Sequence, residues 1–191
     1  IKILLEASNE CTRDSEFNTY LIYSIVSGGG YDIAKLIISH IEKNYLYEYI
    51  NASNVIGETA LLALIKRKPD IPTTDLLLEN GANPNLNEKF INSSLMTALK
   101  SGVNIEIIRL LLKYHANTNY ICIETASTPL ISSIVSSFAS EIIIEIIKAT
   151  NEMWINVRTP EGESAILSAI RFGASNEVLL ALIEKGANIN D

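Results

Sequence analysis

The sequence predicts an all-α solenoid of stacked helix-turn-helix units with projecting loops, and three observations predict it. A hydroxyl residue followed two positions later by a large aliphatic recurs at Thr19-Tyr20-Leu21, Thr59-Ala60-Leu61, Ser93-Ser94-Leu95, Thr128-Pro129-Leu130 and Ser164-Ala165-Ile166, with starts 40, 34, 35 and 36 residues apart. A second marker, Asn51, Asn85, Asn119, Asn156 and Asn190, keeps step 32, 26, 26, 28 and 26 residues after each hydroxyl. Between the markers apolar residues follow helical spacing, as in Ile105-Glu106-Ile107-Ile108-Arg109-Leu110-Leu111-Leu112-Lys113, where charges fall three and four apart. Self-similarity at such a period marks a repeat architecture, in which hairpins too apolar to stand alone shield one another.

Taken in order, residues 1–17 read as the second helix and loop of a partial preceding unit, opening on Ile1 and not Met as a piece of a larger polypeptide would. Residues 18–51 form a divergent unit whose six additional residues predict an extended second helix. Residues 52–85 and 86–119 are regular, 120–156 is divergent with two additional residues, and 157–191 is regular again. Each hydroxyl is placed to start a first helix. Nine positions later stand Gly28, Lys68, Gly102, Ser137 and Gly173, where about two and a half turns would end. Gly81 and Gly186 take the left-handed position after a second helix, and Gly57 and Gly162 sit just before the next hydroxyl. Proline respects the same boundaries: Pro129 in a first turn, Pro69 and Pro72 between helices, Pro84 and Pro160 in connecting loops.

Composition narrows the function classes. Lys+Arg 15 against Asp+Glu 22 gives a net charge of -7, which disfavours phosphate backbones and anionic lipid, so neither nucleic acid nor membrane is expected as a partner. No apolar run approaches the roughly 20 residues of a membrane helix, and no signal peptide is visible. Two cysteines, Cys11 and Cys122, cannot make a disulfide framework or a four-cysteine zinc site, which suits a reducing compartment. Catalysis would have to draw on His40 and His115, which lie far apart in the repeat register. His115 aligns with Gly81 and Gly186 and is expected to fill a left-handed slot; His40 is expected at a helix end, donating to free carbonyls. Gly28-Gly29-Gly30 lacks the Lys and hydroxyl of a phosphate loop and reads as an inter-helix turn. Asn51-Ala52-Ser53 and Asn92-Ser93-Ser94 match glycosylation acceptors only formally. No enzyme activity, cofactor or metal is expected. Tyr31, Tyr45, Tyr47 and Tyr49, and Trp154 beside Met153, either pack irregular units or supply interface anchors.

These residues resemble the ankyrin repeat, whose signature joins a Thr-Pro-Leu-His-x-Ala helix start to a Gly-Ala-Asp/Asn-x-Asn loop over about 33 residues. Thr128-Pro129-Leu130, Glu79-Asn80-Gly81-Ala82-Asn83-Pro84-Asn85 and Glu184-Lys185-Gly186-Ala187-Asn188-Ile189-Asn190 carry the match. No unit has the motif's His, and the fourth has Ala149-Thr150-Asn151 in place of Gly-Ala-Asn. The resemblance implies a concave face that holds another protein, made by first-helix ends and loop tips. By register these positions include Lys66, Arg67, Lys100, Arg158 and Arg171 together with Phe90, Ile91, Ile121, Ile123 and Phe172. Bases among apolar anchors imply an acidic or mixed partner surface, with Phe90, Phe172 and the Lys66/Arg67 pair in one site. Abundant Ile, Asn, Lys and Tyr and degenerate repeats also resemble ankyrin proteins of poxviruses and other large DNA viruses, intracellular bacteria and some protists. That likeness implies an adaptor in the host cytoplasm that binds host defence proteins for host range or immune evasion, with a ubiquitin-ligase link through a C-terminal segment beyond Asp191. The alternative is a structural spacer with no partner of its own.

Overall fold

The computed structural model describes residues 19–86 and 93–190. They fall into two compact units, divided between residues 87 and 88. The first holds α1 (Tyr20–Val26), α2 (Gly30–Ser39), α3 (Lys43–Ile50), α4 (Ala60–Arg67) and α5 (Ile71–Glu79). The second holds α6 (Ser94–Ser101), α7 (Ile105–Lys113), α8 (Pro129–Val135), α9 (Ser140–Ala149), α10 (Glu152–Ile155), α11 (Ala165–Arg171) and α12 (Asn176–Glu184). There is no strand among the described residues, only two isolated bridges, Ser53 with Thr59 and Cys122 with Ser127.

Each first helix begins where the hydroxyl marker stands. Thr19, Thr59, Ser93, Thr128 and Ser164 are all N-caps, each side-chain oxygen accepting from the amide three residues on, at 3.2 to 3.4 Å. One otherwise orphaned amide per helix is thereby satisfied. The breaks fall as expected at Gly28, Gly102, Ser137 and Gly173, all at positive φ. Lys68 differs, with φ -147, because Pro69 follows and forces the preceding residue into extended backbone. His115 occupies the left-handed slot at φ 61.

Two expectations are corrected. The second helix of residues 18–51 is not extended. It stops at Ser39, where the His40 ring sits 2.8 Å from the Leu36 carbonyl, and the surplus forms a separate helix, α3. A free carbonyl capped by a side chain gives the chain a place to turn that length counting does not reveal. Pro72 lies in the first turn of α5 and not between helices, which suits a residue with no amide hydrogen to offer. The surplus of residues 120–156 likewise forms its own short helix, α10, capped by Asn151.

Packing repeats within each unit. In the first, α1 pairs with α2 and lies against α4, while α2 lies against α5, which pairs with α4. In the second, α6, α8 and α11 are neighbours in that order, as are α7, α9 and α12, and each member of one row pairs with its hairpin partner in the other. The residue six positions after each hydroxyl measures what a neighbour does. Ile25, Leu99 and Ile134 are 6%, 1% and 2% exposed beneath the following hairpin, whereas Ile170, with no described hairpin after it, is 64% exposed. Within the second unit, Ile134 and Ile170 are the same side chain in the same register and differ in burial with the presence of a following hairpin.

A polar seam runs beside this core. Asn51 donates through Nδ2 to the Gly81 carbonyl at 2.9 Å and accepts through Oδ1 from the Asn83 amide at 2.7 Å. Asn156 repeats both bonds with Gly186 and Asn188, at 2.9 and 2.8 Å, and Asn119 accepts from the Asn151 amide at 2.7 Å. At Asn51, Asn119 and Asn156 the second sequence marker is therefore a ladder rung joining consecutive loops.

Two measurements test this arrangement. Ile134→Ala is expected to cost about 3 kcal/mol in denaturant unfolding and Ile170→Ala less than about 1 kcal/mol, because only the first leaves a cavity. Asn51→Ala should cost about 1 to 2 kcal/mol, and Asn51→Asp, which turns a carboxylate oxygen onto the Tyr47 and Gly81 carbonyls, should cost at least as much.

Candidate interaction surface

The loops between units fold into short fingers whose geometry is set by asparagine and glycine. In the first, the Asn54 amide donates to the Glu58 carbonyl at 3.0 Å, the Asn54 side chain accepts from the Ile56 and Glu58 amides, and Gly57 turns at φ 77. Thr159, Gly162 and Glu163 build the same turn in the last unit, with the Thr159 amide donating to the Glu163 carbonyl at 2.9 Å. Between them the Cys122 amide donates to the Ser127 carbonyl at 2.9 Å, and Ala126 takes the left-handed region at φ 49. A residue with a β-carbon there costs about 1 kcal/mol, held in place by the surrounding bonds.

This turn brings a glutamate against the far end of the helix that follows it. Glu58 is only 3% exposed, and its two carboxylate oxygens take Lys66 Nζ at 3.0 Å and Arg67 Nη1 at 2.8 Å. Burial pushes the Glu58 carboxyl up, but hydrogen bonds and charge from Lys66 and Arg67 outweigh it and hold it below the ordinary carboxylate value. In the last unit Glu163 pairs with Arg171 and accepts from the Ser168 hydroxyl. Lys100 pairs with Glu124 at 2.9 Å, which ties the end of α6 to the tip of the 121–127 finger. Arg158 donates to the Gly162 carbonyl at 2.9 Å.

The expected partner-facing bases thus have acidic or carbonyl partners within the chain. Reversing charge at Lys66 and Arg67 is then no clean probe of binding, since it strands a buried carboxylate. Ile121, Ile123 and Phe172 are exposed as expected, whereas Phe90 and Ile91 lie outside the described residues. Val55, Ile56 and Val135 are exposed on equivalent fingers and helix ends. The glutamates were also missed, although Glu58 precedes Lys66 by the same eight residues that separate Glu163 from Arg171. Of the tyrosines, Tyr49 is buried while Tyr45 and Tyr47 are exposed.

A second charge cluster lies on the outer helices of the second unit. Arg109 on α7 pairs with Glu106 on its own helix and crosses to α9, meeting Glu145 at 3.0 Å and Glu141 at 3.2 Å. Its hydrogen bonds to Glu145 and then to Glu106 raise its pKa further. The water-facing stripe of α7 is in this way stitched to that of α9.

No catalytic constellation emerges from these positions. His40 caps a helix, His115 completes a turn, and Cys122 is buried. No cluster of three or more His, Cys, Asp or Glu side chains able to hold a metal occurs among the described residues. A depression of about 250 Å³ in the first unit is lined by Ile25, Tyr31, Leu64, Lys68, Asp70 and Thr73, with Asp70 already committed to capping the Thr73 amide at 2.8 Å. No described helix is long and apolar enough to cross a membrane.

Lys66→Glu with Arg67→Glu is expected to cost at least about 3 kcal/mol, because an uncompensated buried carboxylate remains. Glu58→Gln frees two half-exposed bases to turn into water and should cost about 1 to 2 kcal/mol. A depressed folded-state pKa stabilises the chain above the unfolded pKa. That contribution is lost as pH falls through the folded value, so denaturant midpoints should drop between about pH 5 and pH 3, with Glu58→Gln blunting the drop.

Comparison with known proteins places this geometry. Residues 95–191, 97 of the 191, match the family model described as ankyrin repeats in three copies. An ankyrin repeat protein of Acanthamoeba polyphaga mimivirus is 39% identical over 72 residues, a match covering 38% of this chain and 17% of that protein. The matched part of this chain thus spans about a sixth of that relative's length. The crystal structure of an ankyrin repeat domain from Acinetobacter baumannii superposes with a TM-score of 0.77 at 20% identity, covering 98% of this chain and 91% of the other.

Proposed function

The chain belongs to the ankyrin repeat family, a fold of protein-protein interaction modules, and on that premise we propose that it holds a partner protein on its finger tips and first-helix ends. The observation that supports this most is the exposure of Ile121, Ile123 and Phe172 on positions whose neighbouring bases are already paired. Apolar side chains held out on hydrogen-bonded turns are pre-organised for contact, so little ordering entropy opposes binding. In the first unit Val55 and Ile56 occupy the same kind of tip above Lys66 and Arg67. The likeness to a mimivirus ankyrin protein favours a viral setting, in which the partner is a host protein met inside the host cell.

Capture from host-cell extract tests this against a passive spacer. The immobilised chain should retain a specific protein, and a variant carrying Ile121→Ser, Ile123→Ser and Phe172→Ser should lose it while keeping its melting temperature within about 3 °C. Retention of nothing beyond what a blank matrix retains would favour the spacer.

A further inference from the structure

Resting on the partner-holding reading, we infer that the second unit recognises an apolar partner segment of low net charge and not an acidic one. Among the described residues its fingers and first-helix ends carry the bases Lys100, Arg158 and Arg171 and the acids Glu124, Glu161 and Glu163, three of each, on a chain whose total is -7.

The two ion pairs, Lys100 with Glu124 and Arg171 with Glu163, place opposite charges in contact, and paired charges cancel beyond the roughly 8 Å over which physiological salt lets a field persist. An acidic segment approaching Lys100 or Arg171 would have to displace Glu124 or Glu163, exchanging one ion pair for another, and at Arg158 it would compete with the Gly162 carbonyl. Beside the pairs stand uncharged side chains: Ile123 is 79% exposed at the finger tip, with Ile121 beside it and Val135 and Phe172 at the ends of α8 and α11. Aliphatic and aromatic side chains on the partner complement that surface, and their burial is indifferent to ionic strength.

Selection of short random peptides displayed on phage against the full chain reads this directly. Enriched peptides should carry aliphatic and aromatic residues with net charge near zero. Their affinity should change by less than about twofold between about 50 mM and 500 mM NaCl, and fall about tenfold or more against chain carrying Ile123→Ser and Phe172→Ser. Peptides dominated by Asp and Glu whose affinity falls steeply with salt overturn the inference while leaving the partner-holding reading intact. So do apolar peptides indifferent to the double substitution, provided its melting temperature is unchanged. Failure to enrich any peptide counts against the partner-holding reading, and the inference falls with it.

Discussion

Burial of each hairpin's apolar face by its neighbour is the constraint on which everything else in this chain depends. First helices of seven or eight residues are too short to persist alone in water, where nucleation outweighs the few bonds gained. Their capping hydroxyls and left-handed breaks define where they start and stop without supplying that deficit. The deficit is met by Leu21, Leu61, Leu95, Leu130 and their companions, buried between hairpins to 1% or less. Because this demand is local, the chain tolerates uneven units. The surplus residues of the first and fourth become α3 and α10, leaving the rows of helices in each unit unbroken.

Polar groups follow the same nearest-neighbour logic. The Asn51 and Asn156 amides span the step from one loop to the next, and Arg109 spans it on the outer helices. Glu58 and Glu163 fasten a finger to the helix it precedes, whereas Glu124 reaches back to Lys100 at the end of α6. Arg and Lys on a candidate binding surface are ordinarily read as available charge. Here their first occupant is the chain itself, which leaves specificity to shape and to apolar contact.

Much of the fold was legible because its signals are local. A hydroxyl at a helix start, a glycine or histidine at a left-handed turn and a proline at a boundary each act within four residues, a distance a single sequence reports well. The end of α2 was legible at His40, a ring placed to serve free carbonyls, but the separate helix α3 that the surplus forms beyond it was not. The asparagine markers were visible as a period, but their partners stand 30 and 32 residues away, so their role waited for the fold. Exposure of Ile121, Ile123 and Phe172 could be placed by register; the neutralisation of Lys66, Arg67, Lys100 and Arg171 could not, although an eight-residue glutamate-to-base spacing was present twice.

Native-state hydrogen exchange, resolved by residue, addresses the stacking claim most directly. If each hairpin is stabilised chiefly by the one beside it, amides of α8 and α9, covered on both sides within their unit, should open at a free energy higher by about 1 kcal/mol or more than those of α11 and α12, covered on one. Equal protection across the four helices, or greater protection at α11 and α12, would contradict it.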